Sequence, residues 1–418
     1  MDFKTLNPTE SKINEINPLQ RPGWLLIERI SYRKNCIVNI STVNFLLKSP
    51  WKPQMTSFFT HSLLHWNRSV NNRQMPWKGE KDPYKIWLSE IILQQTRVEQ
   101  GRDYYHRFIQ AFPTITELAD ASDDRVFKLW EGLGYYTRCR NLLASARFIA
   151  YEQKGKFPGN YEDILKLKGV GPYTASAIAS FAFSLPHAVI DGNVIRVLSR
   201  VFGIAASIKE PSTVKLYSRL ADELLDKNNP AEYNQAIMDF GAVVCKPRQP
   251  LCETCPIQAD CEAFKHGWVN SLPVKTPKPE KRKRYFHYIL FHHNGKVYCR
   301  KREGKDIWQN LFEFYLFESD RLISGKKLLS TPVFTDMLKG SDYQVLNTSP
   351  VYKQQLTHQE LNGRFIEISV DRKPKGLDNF QAIAENQLST LAMPRFILSY
   401  LHEKNVNLNK QKAGFKDR

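Results

Sequence analysis

The chain has 418 residues, with 60 lysines and arginines against 42 aspartates and glutamates, for a formal net charge of +18. A length of this order predicts two or three domains, and 42% hydrophobic with 24% charged residues describes an ordinary soluble globular protein. No apolar run approaches the roughly 20 residues that span a bilayer, and no basic-then-apolar signal opens the chain, so no membrane association and a cytoplasmic location are expected. The charge favours a polyanionic partner without separating DNA from RNA or anionic lipid.

Residues 1–57 carry scattered apolar positions, no sustained period and no motif, and read as an extension of unknown role. Met55 precedes Thr56-Ser57, which read as the cap of a helix through Leu63, Leu64 and Trp66, so Met55 is an alternative start. Pro83 suits the first turn of the next helix, predicted over IWLSEIILQQTRVEQ from Ile86 to Gln100. A helix glutamate ordinarily faces solvent. Glu90, however, is flanked by Leu88, Ile91 and Ile92 with no lysine or arginine four residues away. Desolvation raises the pKa of such a carboxyl, which makes Glu90 the candidate general acid.

Helices are predicted over Tyr104 to Phe112, Ile115 to Ala119, Asp123 to Leu133 and Thr137 to Phe148, an all-α half. The turn Gly132-Leu133-Gly134-Tyr135-Tyr136 carries two tyrosines that either cap a core or wedge into a base stack. Gly169-Val170-Gly171-Pro172 then interrupts an apolar run before a small-residue helix from Thr174 to Phe183. Such a turn bares backbone N–H groups at a helix start, a seat for phosphate, with Val170 as its apolar anchor. The glycines serve equally as a plain helix cap and turn. Asp191-Gly192-Asn193 opens another amphipathic helix. Asp191 or Asn193 is a good N-cap, and Asp191 follows the apolar Ala188-Val189-Ile190, so its carboxylate is placed to stabilise a cationic sugar.

A helix from Glu232 to Val244 leads into Cys245, Cys252, Cys255 and Cys261, with gaps of six, two and five residues. One close pair and two single cysteines in a compact loop suit a cubane held by four thiolates, with zinc as the alternative. Lys246 and Arg248 add positive charge to that loop, while Cys36, Cys139 and Cys299 read as ordinary residues. Residues 271–284 read as a basic Pro/Lys-rich linker. The period then changes to two: Tyr285 to His293 and Lys296 to Arg302 are joined by Asn294-Gly295, a strong hairpin signal. Further strands are predicted at Phe312 to Glu318, Val351 to Thr357 and Arg364 to Val370, then a helix from Pro394 to Leu401. Residues 285–402 therefore read as an α+β domain, followed by a tail over 403–418.

Together LSEIILQQT, GLGYY, LKGVGPYTA, DGNV, the cysteine loop and the second domain resemble the MutY-type adenine DNA glycosylases, the Fe–S branch of the helix-hairpin-helix-Gly/Pro-Asp superfamily. The resemblance runs from about Met75 to about Leu401. It implies an all-α glycosylase domain over 58–270 holding a [4Fe–4S] cluster on Cys245, Cys252, Cys255 and Cys261, then a Nudix-like domain over 285–402. That domain lacks an R-E-x-x-E-E run and so is expected to bind without hydrolysing.

The implied reaction is removal of adenine opposite 8-oxoguanine or guanine in double-stranded DNA, by a monomer associated with the nucleoid. Glu90 would protonate the flipped adenine, Asp191 stabilise the sugar, and Tyr173 and Asn193 hold the carboxyls and base in place. Gln95 and Tyr135 would fill the stack beside 8-oxoguanine, Gly169, Val170 and Gly171 grip the backbone, and Thr357 and His358 read the oxidised base. His358 is as readily a plain surface histidine. Tyr173 stands where the related endonuclease III family carries its lysine nucleophile, which implies a glycosylase without strong lyase action. Lys78 departs from the arginine that many members carry after Pro-Trp. The rivals are a lyase-competent glycosylase and a non-catalytic Fe–S DNA-binding protein.

Overall fold

The computed structural model describes residues 53–274 and 280–414. Residues 1–52, which include Cys36 and most of the N-terminal extension, lie outside the described residues. The first helix, α1, runs from Pro53 to Ser69, so Thr56 and Ser57 lie inside its first turn and do not cap it. Thr56 Oγ1 donates back to Pro53 O instead, at 2.8 Å.

Helix α2 spans Pro83–Leu93, with Asp82 accepting from Tyr84 N at 2.9 Å as its cap and Pro83 in the first turn. The single helix expected from Ile86 to Gln100 is in fact two: α2 stops at Leu93, Gln95 takes a φ of 55°, and α3 restarts at Val98 and ends at Ala111. The physical reason is Arg138, whose guanidinium occupies the carbonyls of Ile91, Ile92 and Gln94 that further helix would have used.

Helices α4 (Ile115–Asp120), α5 (Asp123–Trp130) and α6 (Tyr136–Arg147) follow, then the short α7 (Tyr161–Leu165). Thr114 and Ser122 cap α4 and α5 by accepting from the third residue on. The predicted 123–133 helix is shorter because Glu131 leaves the helical region, its N–H still bonded to Lys128 O. Helix α8 (Pro172–Phe183) leaves the glycine turn, and α9 (Gly192–Val201), α10 (Pro211–Leu224), α11 (Pro230–Val243) and the short α12 (Glu262–Lys265) complete this half. No strand occurs among its described residues.

The C-terminal part is sheet-rich. Strand β1 (Arg282–His293) begins inside the stretch read as linker, because Arg284 is buried and bridges Asp306 and Glu318. It pairs with β2 (Lys296–Lys301) through Asn294-Gly295, whose φ values of 49° and 72° fit the left-handed turn this dipeptide favours. The strand expected from Phe312 to Glu318 divides in two: β3 (Phe312–Glu313) pairs with β2, and β4 (Tyr315–Ser319) pairs with β1.

Two short helices, α13 (Gly325–Leu329) and α14 (Pro332–Met337), and the edge strand β5 (Tyr343–Thr348) carry no clear periodic signal in the sequence and were not expected. Strands β6 (Tyr352–Gln355), β7 (Gln359–Val370) and the unexpected β8 (Gln381–Ala384) follow, then helix α15 (Arg395–Gly414), which continues past the predicted end at Leu401. The order is β3-β2-β1-β7-β5, with β1 and β7 parallel from Arg282↔Gln359 to His292↔Ser369.

Both faces of β1 and β7 are covered, which is why β1 reads as a continuous apolar run at its centre. Phe286, Tyr288, Leu290 and Phe365 pack with Phe396 and Tyr400 of α15. Ile289, Phe291, Ile366 and Ile368 pack with Leu328 and Phe334 of α13 and α14. Gly363 sits where α15 comes closest: a Cβ there would lie 2.7 Å from Phe286 O and 2.8 Å from Phe396 Cζ. Gly363→Ala should therefore destabilise the protein by about 1–3 kcal/mol through overpacking, read as a lower midpoint in chemical denaturation.

Candidate active site

Helix α2 is buried on nearly all sides, Ile86 to Ile92 inclusive, and Glu90 is only 6% exposed among these apolar neighbours. Small residues let α8 lie against it: Ala175 and Ala179 are buried in the same core without occupying much space. At the head of α8, Tyr173 points its hydroxyl at α2 and donates to Glu90 Oε2 at 2.8 Å. Burial pushes the Glu90 pKa up to about 7 against the opposing Tyr173 hydrogen bond, and the charge of Asp191 adds to the rise. Burial and the neighbouring carboxyls hold Tyr173 well above the ordinary phenol value, so it is the donor in this pair.

Asp191 is the N-cap of α9 and accepts from Val194 N and from Asn193 Nδ2, both at 2.7 Å. Of the two candidate caps the structure selects Asp191, and Asn193 lies inside the helix, bonding it. Burial raises the Asp191 pKa, while these hydrogen bonds pull against it. Asn193 Oδ1 in turn accepts from Arg196 Nη2 at 2.8 Å, and Arg196 Nε donates to Cys245 O at 2.8 Å. A Cβ at Gly241 of α11 would fall 2.7 Å from Asn193 Cβ, so a glycine is needed for α11 to back this group so closely. The fourth wall is Met238, its sulfur 3.9 Å from the Tyr173 hydroxyl. One acid near neutrality, one hydrogen-bonded carboxylate and a phenol thus share one site.

Gly169 turns the hairpin at φ 81°, and a Cβ there would strike Asn141 at 2.8 Å. Val170 is buried beneath the turn, as its apolar side chain predicted, and Gly171 caps α8. Beside this hairpin Gln95 and Tyr135, both at positive φ, line a cavity of about 190 Å³ with Gln94, Arg138 and Asn141. The two tyrosines of the glycine turn part company: Tyr135 is 45% exposed, while Tyr136 is buried, stacked on Phe127 and bonded to Gly132 N. Thr357 and His358 are exposed between β6 and β7, and Thr357 Oγ1 lies 2.8 Å from the Tyr135 hydroxyl. His358 holds Arg282 N through its carbonyl.

Cys245, Cys252, Cys255 and Cys261 are free thiols lining one small cavity. Arg200 donates to Cys245 Sγ at 3.4 Å, and Cys261 Sγ lies 3.5 Å from Arg200 O. Among the described residues the sulfurs do not converge into a ligand set, but four unpaired thiols around one cavity are the donor chemistry that a cluster needs. Cys139 and Cys299 are buried and free, as ordinary core residues.

One buried acid carried no sequence signal. Asp239 is wholly buried and takes salt bridges from Arg73 at 2.7 Å and Lys78 at 3.0 Å. Lys78 thus bonds to a carboxylate 161 positions away. Arg196 was recoverable in principle, three residues beyond Asn193 on one helix face.

A glycine hairpin leading into a helix that delivers a phenol to a buried acid, with a capping aspartate beyond it, is the arrangement of a base-excision glycosylase fold. Residues 88–222 match the HhH-GPD superfamily of base excision DNA repair proteins. The adenine DNA glycosylase of Buchnera aphidicola subsp. Baizongia pistaciae is 36% identical over 265 residues, covering 63% of this chain and 74% of that protein. The enzyme of the same name from Buchnera aphidicola subsp. Acyrthosiphon pisum is 34% identical over 266 residues, covering 63% and 76%. A solved thermostable thymine-DNA glycosylase aligns with 51% of this chain and 98% of its own at 28% identity and a TM-score of 0.48. The chain belongs to the adenine DNA glycosylase family.

The raised pKa of Glu90 has a cost in stability. Unfolded, the carboxyl ionises near its ordinary 4.5, whereas the folded protein keeps it protonated to about 7. Stability from this group is therefore lost as pH rises from the lower value to the higher. Glu90→Gln should raise the thermal midpoint, by more at pH 8 than at pH 5, in paired melting curves.

Proposed function

We propose that this chain hydrolyses the N-glycosidic bond of adenine mispaired with 8-oxoguanine or guanine in double-stranded DNA. The observation that carries the reading is a buried Glu90 with a pKa of about 7, bonded to Tyr173 and close enough to Asp191 to feel its charge. Near neutral pH the protonated Glu90 donates to N7 of the extruded adenine, which leaves with the bonding electrons of the glycosidic bond. The ionised Asp191, oriented by Asn193 and Val194, stabilises the oxocarbenium-like sugar until water adds to give an abasic site. Tyr173 orients Glu90 and carries no amine, which supports base removal without strand cleavage.

Gly169, Val170 and Gly171 present the turn to a phosphate. Gln95 and Tyr135 enter the stack, and Thr357 and His358 meet the oxidised base from a Nudix-like domain that begins with β1 at Arg282. The four cysteines would hold a [4Fe–4S] cluster, which when bound would fix the loop carrying Lys246 and Arg248. The catalytic domain spans 58–270, the basic linker runs from 271 to the start of β1 at Arg282, and the enzyme acts as a monomer on the nucleoid.

Single-turnover assays on a duplex with one adenine:8-oxoguanine pair should give strand breaks only after alkali. Breaks without alkali would place the chain with the lyases, and no product with tight binding would make it a silent binder. Glu90→Gln should lower the rate by at least about 10²-fold while binding persists. The wild-type rate should fall as pH rises through about 7, because the acid form of Glu90 is the active one. Purified protein should carry about four irons with matching sulfide per chain, and Cys252→Ser should lose them.

A further inference from the structure

Arg138, the third residue of α6, is 8% exposed. Its Nη1 donates to the carbonyls of Ile91 at 2.9 Å, Ile92 at 2.8 Å and Gln94 at 2.6 Å, and its Nη2 to Gly134 O at 3.3 Å. The guanidinium also lies over the rings of Trp130 at 5.2 Å and Tyr135 at 5.3 Å. Burial pushes its pKa down to about 10, so it stays charged at neutral pH.

A buried arginine that merely capped α2 would stop at the first three carbonyls. This one continues to Gly134 and the Tyr135 ring, and so ties together two turns that are distant in sequence. Each turn carries an exposed non-glycine residue at positive φ, Gln95 at 55° and Tyr135 at 48°. L residues keep that conformation only where the surroundings impose it. Both residues line the same cavity as Arg138 and Gly169 of the hairpin.

We propose that Arg138 is a positioning residue that holds Gln95 and Tyr135 as one rigid, two-pronged wedge for opening the base stack. The inference rests on the adenine glycosylase reading above. With the wedge rigid, distortion on binding falls on the DNA; with it loose, the turns yield first. A lysine cannot substitute. Its compact ammonium on a flexible stem reaches fewer carbonyls and lacks the planar fork that lies over two rings.

The test is Arg138→Lys, with Arg138→Gln as a second variant, in single-turnover assays on two duplexes. One is fully paired around adenine:8-oxoguanine; the other has mismatched pairs on both sides of the lesion, so the stack is already weakened. Each variant's rates on the two duplexes are compared within one preparation, so a reduced folded fraction cancels. Relative to wild type, the variants should lose at least about tenfold on the paired duplex and no more than about twofold on the mismatched one. A 2-aminopurine placed beside the 8-oxoguanine should brighten with saturating wild-type protein and stay dark with either variant. Equal losses on both duplexes, no loss on either, or undiminished brightening would each overturn the role of Arg138. Wild-type protein that releases no adenine from either duplex would instead overturn the function proposed above.

Discussion

The contact on which the site depends is the one between the buried carboxyl of Glu90 and the hydroxyl of the half-buried Tyr173, made between two packed helices. Burying an acid with a single neutral partner leaves it protonated close to neutrality, which is unfavourable for the fold and useful for donating a proton. The rest of the helical half serves that contact. Alanines on α8 bring the phenol close enough, Gly169 turns the chain into α8, and Gly241 lets α11 back the neighbouring Asn193.

From Asp191 a line of hydrogen bonds runs through Asn193 and Arg196 to the backbone of Cys245. The orientation of the second carboxylate is therefore tied to the start of the cysteine loop, and Arg200 anchors the same loop from one turn further along α9. Two arginines on a single helix join the Asp191 wall to the loop. Arg196 satisfies the Gly241 carbonyl that the end of α11 would otherwise leave unpaired, and Arg200 bonds those of Lys246 and Leu272.

The sheet-rich part meets the helical part through polar ends of its own elements. Lys128 donates to Leu391 O, and Met393 N donates to Glu131 Oε1, so the short α5 and the turn after it form a socket for the approach to α15. Tyr135 and Thr357 touch at the opposite side of that turn. The residue read as a wedge and the residue read as a base reader are thus neighbours although 222 positions separate them.

Local signals were enough for much of this architecture. Pro83, the glycine hairpin and Asn294-Gly295 each act through the backbone of their own segment, so they are legible without the fold. The exception of Glu90 was also readable, because a lone acid among leucines and isoleucines has no local partner. Other features were decided only in three dimensions. The break after Leu93 comes from Arg138, brought from another helix, and no residue in QQTR announces it. Strand β5 is exposed along its whole length and has no buried face to impose a period. Tyr135 and Tyr136 are identical in sequence terms, yet packing against Phe127 buries one while the left-handed turn exposes the other. Sequence by itself determined which groups were available and where the backbone must turn. The tertiary structure decided which of them lost water and which met, since desolvation and distance belong to contacts between segments.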